Sequence, residues 1–158
     1  MVRTIDKIDK KILSMLIENA NYSNKEIAKD LDVSQATVHL RIKKMEQKGV
    51  IKGASITIDY SVIGYELIAY IGIIIGRTKD SKKVMSDLIK IPEVTVANIT
   101  TGQFGAFCKV RCKNTNHMRE VIYKINNASG VLRTESMISL EEAVNDKSRL
   151  FNSAFEIG

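Results

Sequence analysis

Between Ser34 and Lys48 the chain sets hydrogen-bonding and cationic side chains at helical spacing: Gln35, Thr37, His39, Arg41, Lys43 and Lys44, with Ala36 and Leu40 among them. Such a set suits the reading of duplex DNA. A glutamine amide pairs two-fold with an adenine edge, hydroxyl and imidazole groups reach a base or a phosphate, and alanine or leucine packs on a thymine methyl. Lysine and arginine neutralise backbone phosphates, which supplies affinity and register rather than sequence. Ser34, Gln35, Ala36, Thr37, His39, Leu40, Arg41, Lys43 and Lys44 are therefore the candidate DNA contacts. Lys48 and Lys52 extend the positive charge against the single acid Glu46. Taken singly, each lysine also reads as a solvated helix face, and Arg41 as an internal ion pair.

A second chemistry-bearing stretch is Thr101-Gly102-Gln103-Phe104, lying between two apolar runs. A glycine there lets backbone amides approach a small ligand closely and offer donors to a carboxylate. An ordinary tight hairpin would use the same residues. Nothing points to a metal or a cofactor. His39 and His117 fall on different expected helices, and Cys108 and Cys112 stand four apart in an extended segment, beyond disulfide reach at about 3.3 Å per residue. Buried structural thiols and a reducing cytoplasm fit this usage.

The elements that position the first set are short and well punctuated. Ser23-Asn24-Lys25-Glu26 forms a capping box, in which the serine hydroxyl accepts from a backbone N–H while Glu26 reaches back to the cap. Ile27, Ala28 and Leu31 follow at helical spacing, with Ala28 small where another helix crosses. Asp32 and Val33 make a tight turn. Ser34 caps the next helix, whose inward stripe is Val38, Ile42 and Met45, and Gly49 ends it in the left-handed conformation. Upstream, Ile5, Ile8, Ile12, Leu13, Leu16 and Ile17 predict a helix over 6–19. The three helices make a winged or three-helix helix-turn-helix domain over 1–64, with the second helix of the pair presented to the major groove. Val50–Gly53 and Ser55–Asp59 read as a short strand pair or as an extended segment leading out of the domain.

From Tyr65 the rhythm changes. Glu66–Gly76 is β-branched and apolar on both alternating sets, a strand buried on both faces. A helix capped by Ser81 follows with Val84, Met85, Leu88 and Ile89 inward, then strands over Val94–Thr101 and Phe104–Cys112. A second helix buries Met118, Val121, Ile122 and Ile125, and a last strand runs from Val131 to Leu140. The order βαββαβ is the ferredoxin-like unit, spanning 65–142, so the chain is α+β in class. Helices cover one face of such a sheet. The apolar set on the other face needs a second cover, and another copy of the domain supplies it, which predicts a symmetric homodimer presenting two reading helices to a pseudo-palindrome. The tail over 143–158 carries a stretch, Asp146 to Phe151, compatible with a short helix on a neighbouring subunit or with a frayed end.

Bulk properties add little. The 158 residues carry a net charge of +6, but residues 1–64 hold 11 basic and 8 acidic side chains and the remainder 13 and 10, so each half is +3. Only the local cluster from Arg41 to Lys52 discriminates. No secretory leader pattern is visible, and no apolar run approaches the ~20 residues needed to span a bilayer.

Ile12-Leu13, Ile27-Ala28, Val33-Ser34, Thr37-Val38, Arg41-Ile42 and Gly49-Val50-Ile51, followed by the βαββαβ pattern, resemble the Lrp/AsnC family. The run Val33–Met45, Tyr70–Ile74 and Thr100–Phe104 look like its AsnC branch. The resemblance implies a prokaryotic transcription regulator, cytoplasmic and associated with the nucleoid. It further implies dimers that often assemble to octamers and bind a small amino-acid effector between dimers, with asparagine the first expectation. It assigns effector binding to Thr101, Gly102, Gln103 and Phe104, and to Thr134 and Ser136 on the last strand. Gly105 departs from the family pattern, where many members have aspartate, and Ser136 stands where many have threonine. Three other classes compete: an effector-independent architectural DNA binder, a haem-precursor decarboxylase of similar fold, and a ferredoxin-like RNA binder using Phe107 beside Lys109 and Arg111. The decarboxylase would gather arginines and histidines in the second domain, where His117 stands without an evident acid–base partner.

Overall fold

The computed structural model describes residues 5–146 and 148–155. They divide into two compact units. One gathers the chain up to Thr57 together with the chain from Ala143 onward; the other is Ile58–Glu142. The division falls earlier than the expected boundary at Gly64, because Tyr60 lies against Arg111 in the second unit, its ring 5.1 Å from the guanidinium.

In the first unit, α1 (Lys7–Glu18), α2 (Asn24–Asp30) and α3 (Gln35–Gln47) bury Ile12, Leu13, Ile27, Ala28, Val38 and Met45 against one another. The expected Ser23 box is present: Ser23 Oγ accepts from Glu26 N–H at 3.2 Å and Glu26 Oε2 accepts from Ser23 N–H at 2.7 Å. Ser34 Oγ caps α3 by accepting from Thr37 N–H at 3.0 Å. Asp32 takes a positive φ of 52° in the turn between the two helices. At the far end of α3, Gly49 has φ 67°; its N–H donates to Glu46 and that of Val50 to Met45, the paired bonds of a Schellman stop. Residues 51–59 form no strand, so the expected short strand pair is absent.

The tail joins this unit. Helix α6 (Ser148–Phe155) packs on α1 of its own chain, sending Phe151 into the helix core. Ser14 Oγ donates to Asn152 Oδ1 at 3.2 Å, and Lys10 Nζ sits 4.4 Å from the centre of the Phe155 ring. Neither a helix on a neighbouring subunit nor a frayed end describes this. Lys147, within the stretch expected to be helical, lies outside the described residues, as do 1–4 and 156–158 of the expected first domain and tail.

The second unit is a four-stranded antiparallel sheet in the order β2 (Val94–Ile99), β3 (Ala106–Cys112), β1 (Leu67–Ile75), β4 (Val131–Ile138), with α4 (Ser81–Leu88) and α5 (Thr115–Asn126) completing βαββαβ. Ala69, Ile71 and Ile73 of β1 and Ala106, Cys108, Val110 and Cys112 of β3 form one apolar layer, packed on Val84 and Leu88 of α4 and on Met118, Val121 and Ile125 of α5. Ser81 is the first residue of α4 rather than its cap. Asp80 holds the cap position without a side-chain bond, while Ser81 Oγ donates to the Thr78 carbonyl at 2.7 Å and closes a 3-10 turn over Thr78–Asp80.

The other face of the sheet is aromatic and cationic. Register sets Tyr70 opposite Lys109, Gly72 opposite Phe107 and Ile68 opposite Arg111. Tyr70 and Phe107 stack at 6.2 Å, and Phe104 folds over Gly72 so closely that a β-carbon there would lie 2.7 Å from the ring. Lys109 is salt-bridged to Glu142. The chain therefore half-covers this face itself, while Val96 and Met137 stay half-exposed.

Candidate nucleic-acid interface and ligand pocket

The outward face of α3 carries the expected DNA-contacting residues as a continuous surface. Gln35, Ala36, His39, Leu40, Lys43 and Lys44 are exposed, and Leu40 is 64% bare in mid-helix. Ser34 and Thr37 are partly used locally, their hydroxyls 2.8 Å apart within the cap. Thr37 is half-buried. An N-terminal helical turn presenting polar and small side chains, followed one turn later by two free lysine stems, suits base edges first and phosphates second.

Arg41 departs from this surface. Its Nη1 lies 2.5 Å from Asp6 Oδ2 and 2.8 Å from Asp9 Oδ1, both on the first turn of α1. The internal ion pair is the reading the geometry favours for this residue. Hydrogen bonding to Arg41, and then to the Asp9 backbone, holds the Asp6 carboxyl below the ordinary carboxylate range, and the side-chain bonds to Asp6 and then Asp9 raise Arg41.

In the second unit, the turn after β2 borders a cavity of about 250 Å³ lined by Ile75, Thr78, Ser81, Ile99, Thr100, Gly102, Gln103 and Gly105. Gly102 has φ 94°. The turn is longer than two residues, since Thr100 Oγ1 donates to the Phe104 carbonyl at 2.7 Å and Thr100 N–H donates to Gly105 at 3.2 Å, which ends both strands early. Among the described residues, no ionisable side chain lines the cavity. Gly105 has a steric reason to lack a side chain: a β-carbon would sit 3.1 Å from Ile75 Cδ1.

The expected effector residues are not all gathered there. Gly102 and Gln103 line the cavity; Thr101 does not, and Phe104 belongs to the opposite sheet face. Thr134 and Ser136 pair with Ile73 and Ile71, which places them on the helix side of edge strand β4. Thr134 Oγ1 donates to Asn126 Oδ1 of α5 at 3.1 Å. They stand on the edge of the sheet opposite β2, whose following turn borders the cavity, and neither lines it.

His117, expected to stand alone, has partners. Its Nε2 is 3.0 Å from Glu93 Oε1, its Nδ1 accepts from Lys113 N–H at 3.2 Å, and Lys124 Nζ reaches the same carboxylate at 3.2 Å. Burial opposes ionisation of Glu93, yet its own backbone amide, His117 and Lys124 hold its carboxyl below the usual range. These groups tie the start of α5 to the residue preceding β2. Their sequence separation of 24 leaves no local signal. Cys108 and Cys112 are both free and buried, and burial pushes each thiol up to about 11.

A capped helix-turn-helix with an exposed polar and basic face, carried on the same chain as a ferredoxin-like domain with a small uncharged cavity, defines a DNA-binding regulator with a ligand-binding domain. Comparisons with known proteins agree on both parts. Residues 5–52 match the model for a winged helix-turn-helix DNA-binding domain, and residues 68–149 that for the Lrp/AsnC ligand binding domain. The regulatory protein AsnC of Escherichia coli K12 is 37% identical over 141 residues, covering 89% of this chain and 93% of that protein. The transcriptional regulator FL11 of Pyrococcus horikoshii is 34% identical, covering 87% and 90%. The solved structure of E. coli AsnC superposes with a TM-score of 0.86 at 36% identity, over 90% of this chain and 97% of that one. A Neisseria meningitidis regulator solved with L-methionine shares the fold, with a TM-score of 0.87 at 24% identity over 92% and 96%. The chain belongs to the Lrp/AsnC family of transcriptional regulators. The decarboxylase reading falls away, because these relatives are regulators and not enzymes.

Proposed function

We propose that this protein is a one-component switch: α3 reads a pseudo-palindromic operator, and a small amino acid held by the ferredoxin-like domain changes the assembly that presents α3 to DNA. The observation that carries it is the exposed α3 face from Gln35 to Lys44, which, Thr37 and Arg41 apart, no other element among the described residues of its unit uses. Residues Ser34, Gln35, Ala36, Thr37, His39 and Leu40 are assigned to the groove, and Lys43 and Lys44 to phosphates.

The sheet face holding Tyr70, Phe107, Val96 and Met137 supports a homodimer, since half-exposed apolar side chains on a sheet favour a matching copy. Further assembly to an octamer places the cavity beside other subunits, where Thr101, Phe104, Thr134 and Ser136 from neighbouring chains complete the effector site. The cavity lining supplies hydroxyls, one carboxamide and two isoleucines but no charge, which suits a neutral polar side chain; asparagine is the first ligand to try. The setting is the cytoplasm, on the nucleoid; no helix among the described residues is long and apolar enough to cross a membrane.

The test begins with duplexes selected by the protein from a random pool. Anisotropy titrations on them, with each of the common amino acids and with solution mass measured in parallel, are expected to show at least one that shifts affinity or assembly. Unchanged affinity and unchanged mass for every amino acid would reject sensing and leave an architectural DNA binder.

A further inference from the structure

The acids that hold Arg41 are unusual in their economy. Asp6 Oδ1 accepts from Asp9 N–H at 2.8 Å, and Asp9 Oδ2 accepts from Asp6 N–H at 3.2 Å, forming the N-terminal capping box of α1. The remaining oxygen of each, Asp6 Oδ2 and Asp9 Oδ1, binds the same nitrogen of Arg41. All four carboxylate oxygens are thus engaged, and two negative charges face one guanidinium. The cluster is net −1, at the flank of a surface built to meet phosphates. Position matters as well. Arg41 lies three residues after Val38 and four before Met45, so at 100° per residue it sits beside the inward stripe, not opposite it. Its side chain is 27% exposed.

A single phosphate offers one charge where the aspartates offer two at contact distance, so Arg41 has little reason to exchange partners. Phosphate contacts are sequence-independent and strengthen all duplexes alike. An arginine withheld from them lowers non-operator binding more than it lowers the operator's advantage.

We propose that Asp6 and Asp9 are specificity-determining residues: they clamp Arg41 away from the DNA backbone and so hold down sequence-independent binding. This rests on α3 being the reading helix. Arg41 then acts as a positioning residue between α1 and α3 and not as a phosphate contact.

The experiment uses the full chain and a random-sequence duplex, with affinity followed against sodium chloride concentration. Asp6→Asn/Asp9→Asn keeps the capping oxygens while removing both charges, so α1 keeps its start; circular dichroism checks the fold. The expected result is several-fold tighter binding to the random duplex, a lower operator-to-random ratio, and a salt slope steeper by about 0.9, the signature of one more phosphate contact. Arg41→Gln alone is expected to leave the slope unchanged. Combined with the two asparagines it is expected to abolish the added slope. A wild-type slope that falls in Arg41→Gln would overturn the proposal, because Arg41 would already be on a phosphate. A gain that survives in the triple variant would overturn it too, reducing the aspartates to generic charge. Lys43→Gln separates this from the underlying reading: its slope is expected to fall by about 0.9, and if it does not, the assignment of the α3 surface fails and the clamp with it.

Discussion

Phe151→Ala asks whether the end of the chain belongs to the DNA-binding unit. Phe151 packs on the α1–α3 core from α6, and its ring lies 4.9 Å from that of Phe155. A fully buried phenylalanine cut to alanine costs about 3–5 kcal/mol; Phe151 is half-buried, so about 2 kcal/mol is expected. At a factor of ten per ~1.4 kcal/mol this is about a thirtyfold larger opening equilibrium for the first unit. There is no tryptophan to report the units separately, so hydrogen exchange read by mass spectrometry is the assay. Amides of α1, α2 and α3 are expected to exchange about thirtyfold faster, and those of β1–β4 at their original rate. Leu150→Ala, on the same helix but 80% exposed, is the control and leaves both sets unchanged. Unaltered exchange in α1–α3 would refute the docking of α6. Equal acceleration in both sets would refute the independence of the two units.

Other measurements follow from single features. At pH 8 neither Cys108 nor Cys112 is expected to react with a thiol reagent in the folded protein, and both after denaturation, because each is buried with its thiol raised to about 11. Gly72→Ala puts a β-carbon 2.7 Å from the Phe104 ring, so the ring must leave the sheet; the expected loss is about 1–3 kcal/mol, measured by urea denaturation of the second unit. In acid, the first unit is expected to weaken. Asp6 is lowered chiefly by its bond to Arg41 and Glu26 by its bond to Ser23, so each binds fewer protons folded than unfolded. Their contribution is full above the ordinary values of 3.8 and 4.5 and is lost as pH falls through the lowered ones. Exchange of α1 and α2 amides compared between pH 5 and pH 3 checks this after correction for intrinsic rates, and no change in their protection would contradict it.

Most of what was legible in the sequence is decided within about four residues. The Ser23 box, the Ser34 cap, the Gly49 stop and the apolar stripes all depend on near neighbours, and all three helices of the first unit and the βαββαβ order came out as expected. Two local expectations failed, since Ser81 is the first residue of α4 and not its cap and Ile89, expected inward, is 77% exposed; the other features missed depend on partners far along the chain. Arg41 looks like one more cation of a basic helix until Asp6, 35 residues away, takes it. His117 looks isolated until Glu93 arrives beside it. Thr134 and Ser136 look close to the 101–104 turn until the strand order sets β4 at the edge of the sheet opposite β2.

The largest of these long-range features alters how a switch of this kind is wired. Because α6 completes the first unit, that unit is drawn from both ends of the chain, and the ferredoxin-like domain is an insertion between α3 and α6. The insertion leaves and returns at adjacent strands: Ser139 N–H, just past β4, donates to Ile68 at the start of β1 at 2.9 Å. A domain held by one linker can rotate with little consequence for its neighbour. One held by two linkers rising from paired strands cannot shift β1 against β4 without moving both attachments. Chain cleavage within 143–146 therefore separates two effects that point substitutions mix. It leaves the α3 surface and the sheet chemically intact, so a cleaved protein that keeps its ligand affinity but loses its DNA response would assign the coupling to the second attachment. Retention of the full response would place all of it in the segment from 51 to 66.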